Sequence, residues 1–184
     1  MNVLALSGSL RARSINSAFC RVAARLAPDS INVTVFSGLG DLPLFNPDLE
    51  DNTPESVRLF RSAILQADAL LIASPEYAHG IPGVMKNALD WLVSFEGVVG
   101  KPIALVNTSP RAHHAHDALR EVLRTMSTVL IGDASRPIAL LGVCSTEEAM
   151  LVDAECRKVI QSVLQAIYTH HTGVDEPGPN FSVE

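Results

Sequence analysis

Five times along this chain an apolar run too short for a helix gives way to a segment whose apolar residues recur three and four apart. The runs are residues 3–6, 31–36, 69–73, 103–106, and then either 128–131 or 138–141, between which the sequence does not choose. The partners are equally regular, the first carrying Ile15, Ala18, Phe19, Val22, Ala23 and Leu26 on one face. Continuous apolar strands alternating with amphipathic helices predict a parallel sheet covered by helices on both faces. A composition 47% apolar and only 18% charged supplies the side chains for such a doubly covered sheet.

In that architecture a ligand sits beyond the carboxyl ends of the strands, where strand order reverses. Three loops converge there, residues 7–14, 74–83 and 107–116. The first, Ser7-Gly8-Ser9-Leu10-Arg11-Ala12-Arg13-Ser14, opens a helix. The unpaired N–H groups and positive dipole end of that helix attract an anion. Ser9 and Ser14 add hydroxyl donors, and Arg11 adds a permanently charged fork suited to phosphate oxygens. The plainer alternative is a polar turn with Ser14 as an ordinary N-cap. The loop is neither G-x-G-x-x-G nor G-x-x-x-x-G-K-[ST], so a mononucleotide with one phosphate fits better than a dinucleotide or a nucleoside triphosphate.

Punctuation fills in the rest. Thr53-Pro54 predicts a helix start with Thr53 as N-cap and Pro54 at the first helical position, and Thr146 is expected to cap one long final helix. Between residues 38 and 47, Leu42, Leu44 and Phe45 are expected to fold back over the core. Lys86 and Asp90 are spaced as a surface ion pair. Trp91 falls off the apolar face of its helix, which predicts an exposed ring at a contact between subunits. Cys20, Cys144 and Cys156 lie in or beside apolar periodic segments, and their odd number predicts reduced core thiols. A net charge of −6 with no basic run excludes nucleic acid as a partner. No stretch is apolar and long enough to span a bilayer, and the first residues lack the pattern of a secretory leader, so a cytoplasmic protein is expected. Residues 1–171 form the expected domain and 172–184 a Gly/Pro-rich flexible tail.

Three motifs in register, Gly8-Ser9-Leu10-Arg11-x-x-Ser14-x-Asn16, Pro75-Glu76-Tyr77-x-x-Gly80-Ile81-Pro82-Gly83 and Lys86-Asn87-Ala88-Leu89-Asp90-Trp91, resemble the NADPH-dependent FMN reductase family. This flavodoxin-like group includes quinone and chromate reductases, and the resemblance runs from about residue 3 to 167. It implies a three-layer sandwich with strand order 2-1-3-4-5, and a dimer or tetramer. It implies that Ser9, Arg11, Ser14, Ile15 and Asn16 hold the FMN phosphate. Pro75, Glu76, Tyr77 and Ala78 would line the isoalloxazine ring, with Ser109 approaching from the third loop. The implied activity is transfer of hydride from NADPH or NADH through FMN to a quinone, flavin, azo compound or metal oxyanion. No catalytic acid or base and no metal are assigned, because a flavin carries that chemistry itself. The competing classes on the same fold are a non-enzymatic FMN electron carrier and a flavin-free binding protein.

One segment departs from the family. Where its members are glycine-rich after the fourth strand, this chain has Pro110-Arg111-Ala112-His113-His114-Ala115-His116. Adjacent histidines on one short segment converge poorly on a single ion, so a metal is not expected there. Arg111 is instead expected to meet the 2′-phosphate of NADPH or an anionic acceptor.

Overall fold

The structure is a computed structural model that describes residues 1–109, 113–138, 140, 142 and 144–173. Its centre is a parallel sheet of β1 (Asn2–Ser7), β2 (Asn32–Phe36), β3 (Ala69–Ala73), β4 (Pro102–Val106) and β5 (Val129–Leu130), in the order β2-β1-β3-β4-β5. In register, Ala5 lies between Val35 on one side and Leu71 on the other. The fold class expected from the alternation is therefore the one observed.

Strand residues alternate between two cores. Val3, Ala5, Ala69, Leu71, Ala73, Ala104 and Val106 face α1 (Ile15–Leu26) and α6 (Ala154–Thr172). Leu4, Leu6, Leu70, Ile72, Ile103 and Leu105 face α2 (Glu55–Gln66), α3 (Gly83–Asp90) and α4 (His113–Thr125). The small residues of the first face leave room for the fully buried ring of Phe19. A short α5 (Glu147–Val152) packs beside α1, where Arg21 pairs with Glu147.

Several expectations are corrected. Trp91 is fully buried, because α3 ends at Asp90 and the following turn swings the indole inward. Its Nε1 donates to the Pro43 carbonyl at 2.8 Å, and its ring meets that of Phe45 edge-on. Asn87, one turn earlier, donates to the same carbonyl at 3.0 Å and accepts from the Phe45 N–H at 2.8 Å. The segment over residues 38–47 does fold back, burying Leu42 and packing Phe45, although Leu44 is exposed. The last helix is two: Thr146 caps α5 as expected, the chain turns extended at Asp153, and the Asp153 carboxylate caps α6. That break leaves exposed Val152, which the three-and-four spacing of one unbroken helix places on the buried face with Cys156, Val159 and Val163. Cys144 and Cys156 are not separate thiols but a disulfide, since the break brings the start of α6 against the segment before α5. Only Cys20 is a free thiol, buried in the core.

Smaller adjustments concern boundaries. Pro54 is the capping residue of α2, while the Thr53 hydroxyl donates to the Glu50 carbonyl. Helix α4 begins already at His113, inside the expected third loop. Of the two candidate fifth runs, the first supplies β5, which pairs with Pro102 and Ile103; just before the second, Pro137 bridges to Asn107 beyond the end of β4. The Lys86–Asp90 pair forms at 2.5 Å. Arg111 and the tail over residues 174–184 lie outside the described residues.

Candidate functional site

The loops after β1, β3 and β4 are bound to one another at the carboxyl edge of the sheet. The Gly8 N–H donates to the Ala73 carbonyl at 2.9 Å. This approach requires glycine, because a Cβ there would lie 2.2 Å from Ser74 Oγ. The Thr108 hydroxyl donates to Asn16 Oδ1 at 2.8 Å, a buried bond joining the third loop to the start of α1. Glu76 Oε2 accepts from the Ala115 N–H at 2.8 Å, joining the second loop to the first turn of α4.

The first loop is a web of hydroxyls. Ser7 and Ser17 share a hydrogen bond of 2.8 Å, and Ser17 Oγ donates to the Ser9 carbonyl at 3.3 Å. The Arg11 N–H donates to Ser9 Oγ at 3.3 Å, and Ser14 caps α1 by accepting from the Ser17 N–H at 3.4 Å. Ser9, Ser14 and Asn16 are buried, Ile15 is half-buried and Arg11 and Arg13 are exposed. Helices α2, α5 and α6 each carry an acidic residue in the first turn, whereas α1, α3 and α4 have none. At α1 hydroxyl donors and two guanidinium groups flank the positive end, which suits an external anion. This donor set fits a phosphate group. Beside it runs a groove of about 400 Å³ walled by Arg13, Ser14 and Arg21 on one side and Ser145, Thr146 and Glu148 on the other.

The second loop is shaped by backbone strain. Ala78 and His79 both take left-handed φ values, +49° and +57°, between the paired backbone bonds of Tyr77 and Gly80. Such conformations cost on the order of 1–3 kcal/mol per residue and persist where the surroundings enforce them. The tight turn presents Tyr77 outward, 56% exposed, as a flat apolar face with a polar tip. Pro75 and Glu76 are half-buried behind it. The Ala115 N–H bond holds the Glu76 carboxyl below the ordinary carboxylate range, opposed by burial and helped by His114, His79 and His113.

Of the site residues read from sequence, Ser9, Ser14, Ile15 and Asn16 gather at the start of α1, with Arg11 exposed on the loop before it. The Asn16 side-chain oxygen is committed to Thr108, leaving its backbone N–H for a ligand. Ser109 is half-buried, its N–H donating to Asn107 Oδ1 at 3.0 Å. Sequence reasoning missed Ser17, which braces the first loop through Ser7 and the Ser9 carbonyl, Ser74, which turns back on the Pro75 carbonyl, and Thr108, which ties the third loop to Asn16. Their signal was present, as hydroxyls at the carboxyl ends of strands or one helical turn on.

The family model of the NADPH-dependent FMN reductases matches residues 1–140. An NAD(P)H-dependent FMN reductase of Pseudomonas aeruginosa is 32% identical over 173 residues, 91% of this chain and 93% of that protein. A 2-hydroxy-1,4-benzoquinone reductase of a Burkholderia species is 34% identical over 170 residues, 89% of this chain and 92% of that one. Among solved structures, the flavoenzyme NAD(P)H:acceptor oxidoreductase FerB of Paracoccus denitrificans superposes with a TM-score of 0.72 at 28% identity, covering 92% of this chain and 98% of its own. With the sheet order, the interlocked loops and these matches in agreement, the chain belongs to the NADPH-dependent FMN reductases, enzymes that work with FMN and a reduced nicotinamide.

Proposed function

We propose that this protein passes hydride from NADPH or NADH by way of bound FMN to a small-molecule acceptor, in the first place a quinone. The observation that carries this reading is the acid-free, hydroxyl-rich start of α1, tied directly to the two loops that would flank a flat ring. The N–H groups of Ile15 and Asn16 and the hydroxyls of Ser9 and Ser14 bind the phosphate, and Arg11 closes over it from solvent. Pro75, Glu76, Tyr77 and Ala78 flank the ring, and Ser109 meets it from the third loop. Their role is to position and to exclude water. Bound FMN supplies the two-electron chemistry, so no side chain is required as acid or base.

Quinone reduction is favoured by the relative named for 2-hydroxy-1,4-benzoquinone. Free flavin, azo compounds and metal oxyanions are further acceptors to be tested. The working unit is proposed as residues 1–171, assembled as a homodimer or homotetramer in the cytoplasm, without nucleic acid or membrane as partner. Exposed Leu59, Leu65, Val93 and Val99 offer the apolar surface that Trp91 does not. Among the described residues no helix is long and apolar enough to cross a membrane.

The deciding experiment is the absorption spectrum of the purified protein supplied with FMN, followed by NADPH under argon and then a quinone. Bleaching by the nicotinamide and recovery with quinone is the expected result. A flavin that binds but stays oxidised under NADPH marks an electron carrier instead, and no flavin binding marks a flavin-free protein.

A further inference from the structure

Where the second and third loops meet, three imidazoles crowd one carboxylate. His79 Nδ1 lies 3.3 Å from Glu76 Oε1. The His79 ring meets that of His114 edge-on at 4.5 Å between centroids, and the His113 ring lies 4.0 Å from that of His114. The His79 side chain is 77% exposed, while Glu76 beneath it is 11% exposed and spends its other oxygen on the Ala115 N–H. Hydride transfer uses none of these imidazoles.

Imidazole ring nitrogens donate hydrogen bonds, and three rings this close gather such donors at one exposed point. His116, Asp117 and Arg120 follow on α4, with His116 half-buried. An anion placed on the three rings would accept hydrogen bonds from their N–H groups. A metal ion is the weaker alternative. Among the described residues these side chains do not bring three donor atoms within 4.8 Å of one another, as Cys144, Asp153 and Cys156 do.

We propose that His79, His113 and His114 form an anion site at the rim of the flavin site, taking an anionic group on an incoming substrate. The shared chemistry is a phosphate or sulfonate-like anion, whose source is either the 2′-phosphate of NADPH or an acidic substituent on the acceptor. The assignment of the rim rests on the three loops forming the flavin site as proposed above.

The test uses the FMN-loaded protein and follows the imidazole C–H resonances of His79 and His114 by NMR as each probe is added. Four probes are compared: NADP⁺ against NAD⁺, and a naphthoquinone sulfonate against unsubstituted naphthoquinone. The anionic member of one pair or both is expected to move these resonances in a saturable titration and to bind about tenfold tighter than its counterpart, which should leave them in place. The double variant His79→Asn, His114→Gln should lose this preference. Asparagine tolerates the left-handed φ of position 79, so the turn is kept. A response to NADP⁺ alone assigns the donor, and to the sulfonate alone the acceptor. No shift with either anion, on protein that binds FMN, overturns the site. If FMN does not bind at all, the flavin reading fails separately, and titration of the flavin-free protein with sulfate decides the anion site by the same shift.

Discussion

The carboxylate of Glu76 sits over the first turn of α4 and accepts the backbone N–H of Ala115 at 2.8 Å. This one bond fastens the second loop to the third. Because it favours the charged carboxyl, the folded-state pKa of Glu76 lies below the ordinary value near 4.5. Its contribution to stability is therefore complete above that ordinary value and is lost as pH falls through the lowered one. Glu76→Gln should be less stable than the parent at neutral pH, with the difference shrinking below pH 4.5. Urea unfolding across pH measures it, and a difference that does not change with acid would contradict the assignment.

Trp91 and Asn87 both donate to the Pro43 carbonyl. Replacing Trp91 by Phe keeps most of the packing and leaves that carbonyl still satisfied by Asn87. The loss should therefore fall near the low end for a hydrogen bond, about 0.5 kcal/mol, plus the packing of the missing ring atoms. The double replacement with Asn87→Ala should cost more than the two single losses combined, since it orphans the carbonyl. Strict additivity in a denaturation cycle would show that the carbonyl is not the shared element.

Gly8→Ala forces a methyl group against Ser74, whose Oγ, Cβ and Cα would lie at 2.2, 2.9 and 3.2 Å. A destabilisation of roughly 1–3 kcal/mol is expected for such overpacking. Ser74→Gly in the same chain removes the two nearest atoms and should restore part of it, the backbone Cα still pressing. A thermal melt of the single and double variants distinguishes this clash from a simple loss of backbone freedom, which Ser74→Gly would worsen.

Arg11 is exposed and its side chain carries no part of the core. Arg11→Ala should leave the melting temperature unchanged and weaken FMN by roughly 1.5–3 kcal/mol, the scale of a hydrogen bond to a charged group. Fluorescence titration of FMN, tenfold or more weaker in the variant, is the expected outcome. Unchanged affinity would remove Arg11 from the phosphate site.

The cysteines give a direct count. Cys20 is fully buried and its thiol is pushed up to about 12, chiefly by burial. Thiol reagent should find nothing in the native protein and one thiol after denaturation without reductant. With reductant present it should find all three. Three thiols without reductant would restore the reduced state that the sequence suggested.

What the sequence made legible was whatever depends on periodicity and local caps. The sheet, its helices, Ser14 and Thr146 all follow from patterns a few residues long. The failures occur where the chain bends out of its period. Trp91 is off the apolar face only if the helix continues, and α3 stops one residue earlier. Val152 belongs to the buried stripe only if the final helix is unbroken, and Asp153 breaks it. The Cys144–Cys156 bond was hidden by the same break, because it depends on which ends meet. In the site, the motif residues were visible but their ties were not: Thr108 reaches Asn16 across 92 positions.

The interruption of the fifth strand has a further effect at the sheet's margin. An open edge with a long, flat row of free N–H and C=O groups invites a strand from another molecule. Here the row is two residues long, Val129–Leu130. It is followed by the turn at Gly132 and Asp133, and then by Pro137, which has no N–H to offer. What looks like an irregular strand thus guards this edge of the sheet, on the side opposite β2, against pairing with one more chain.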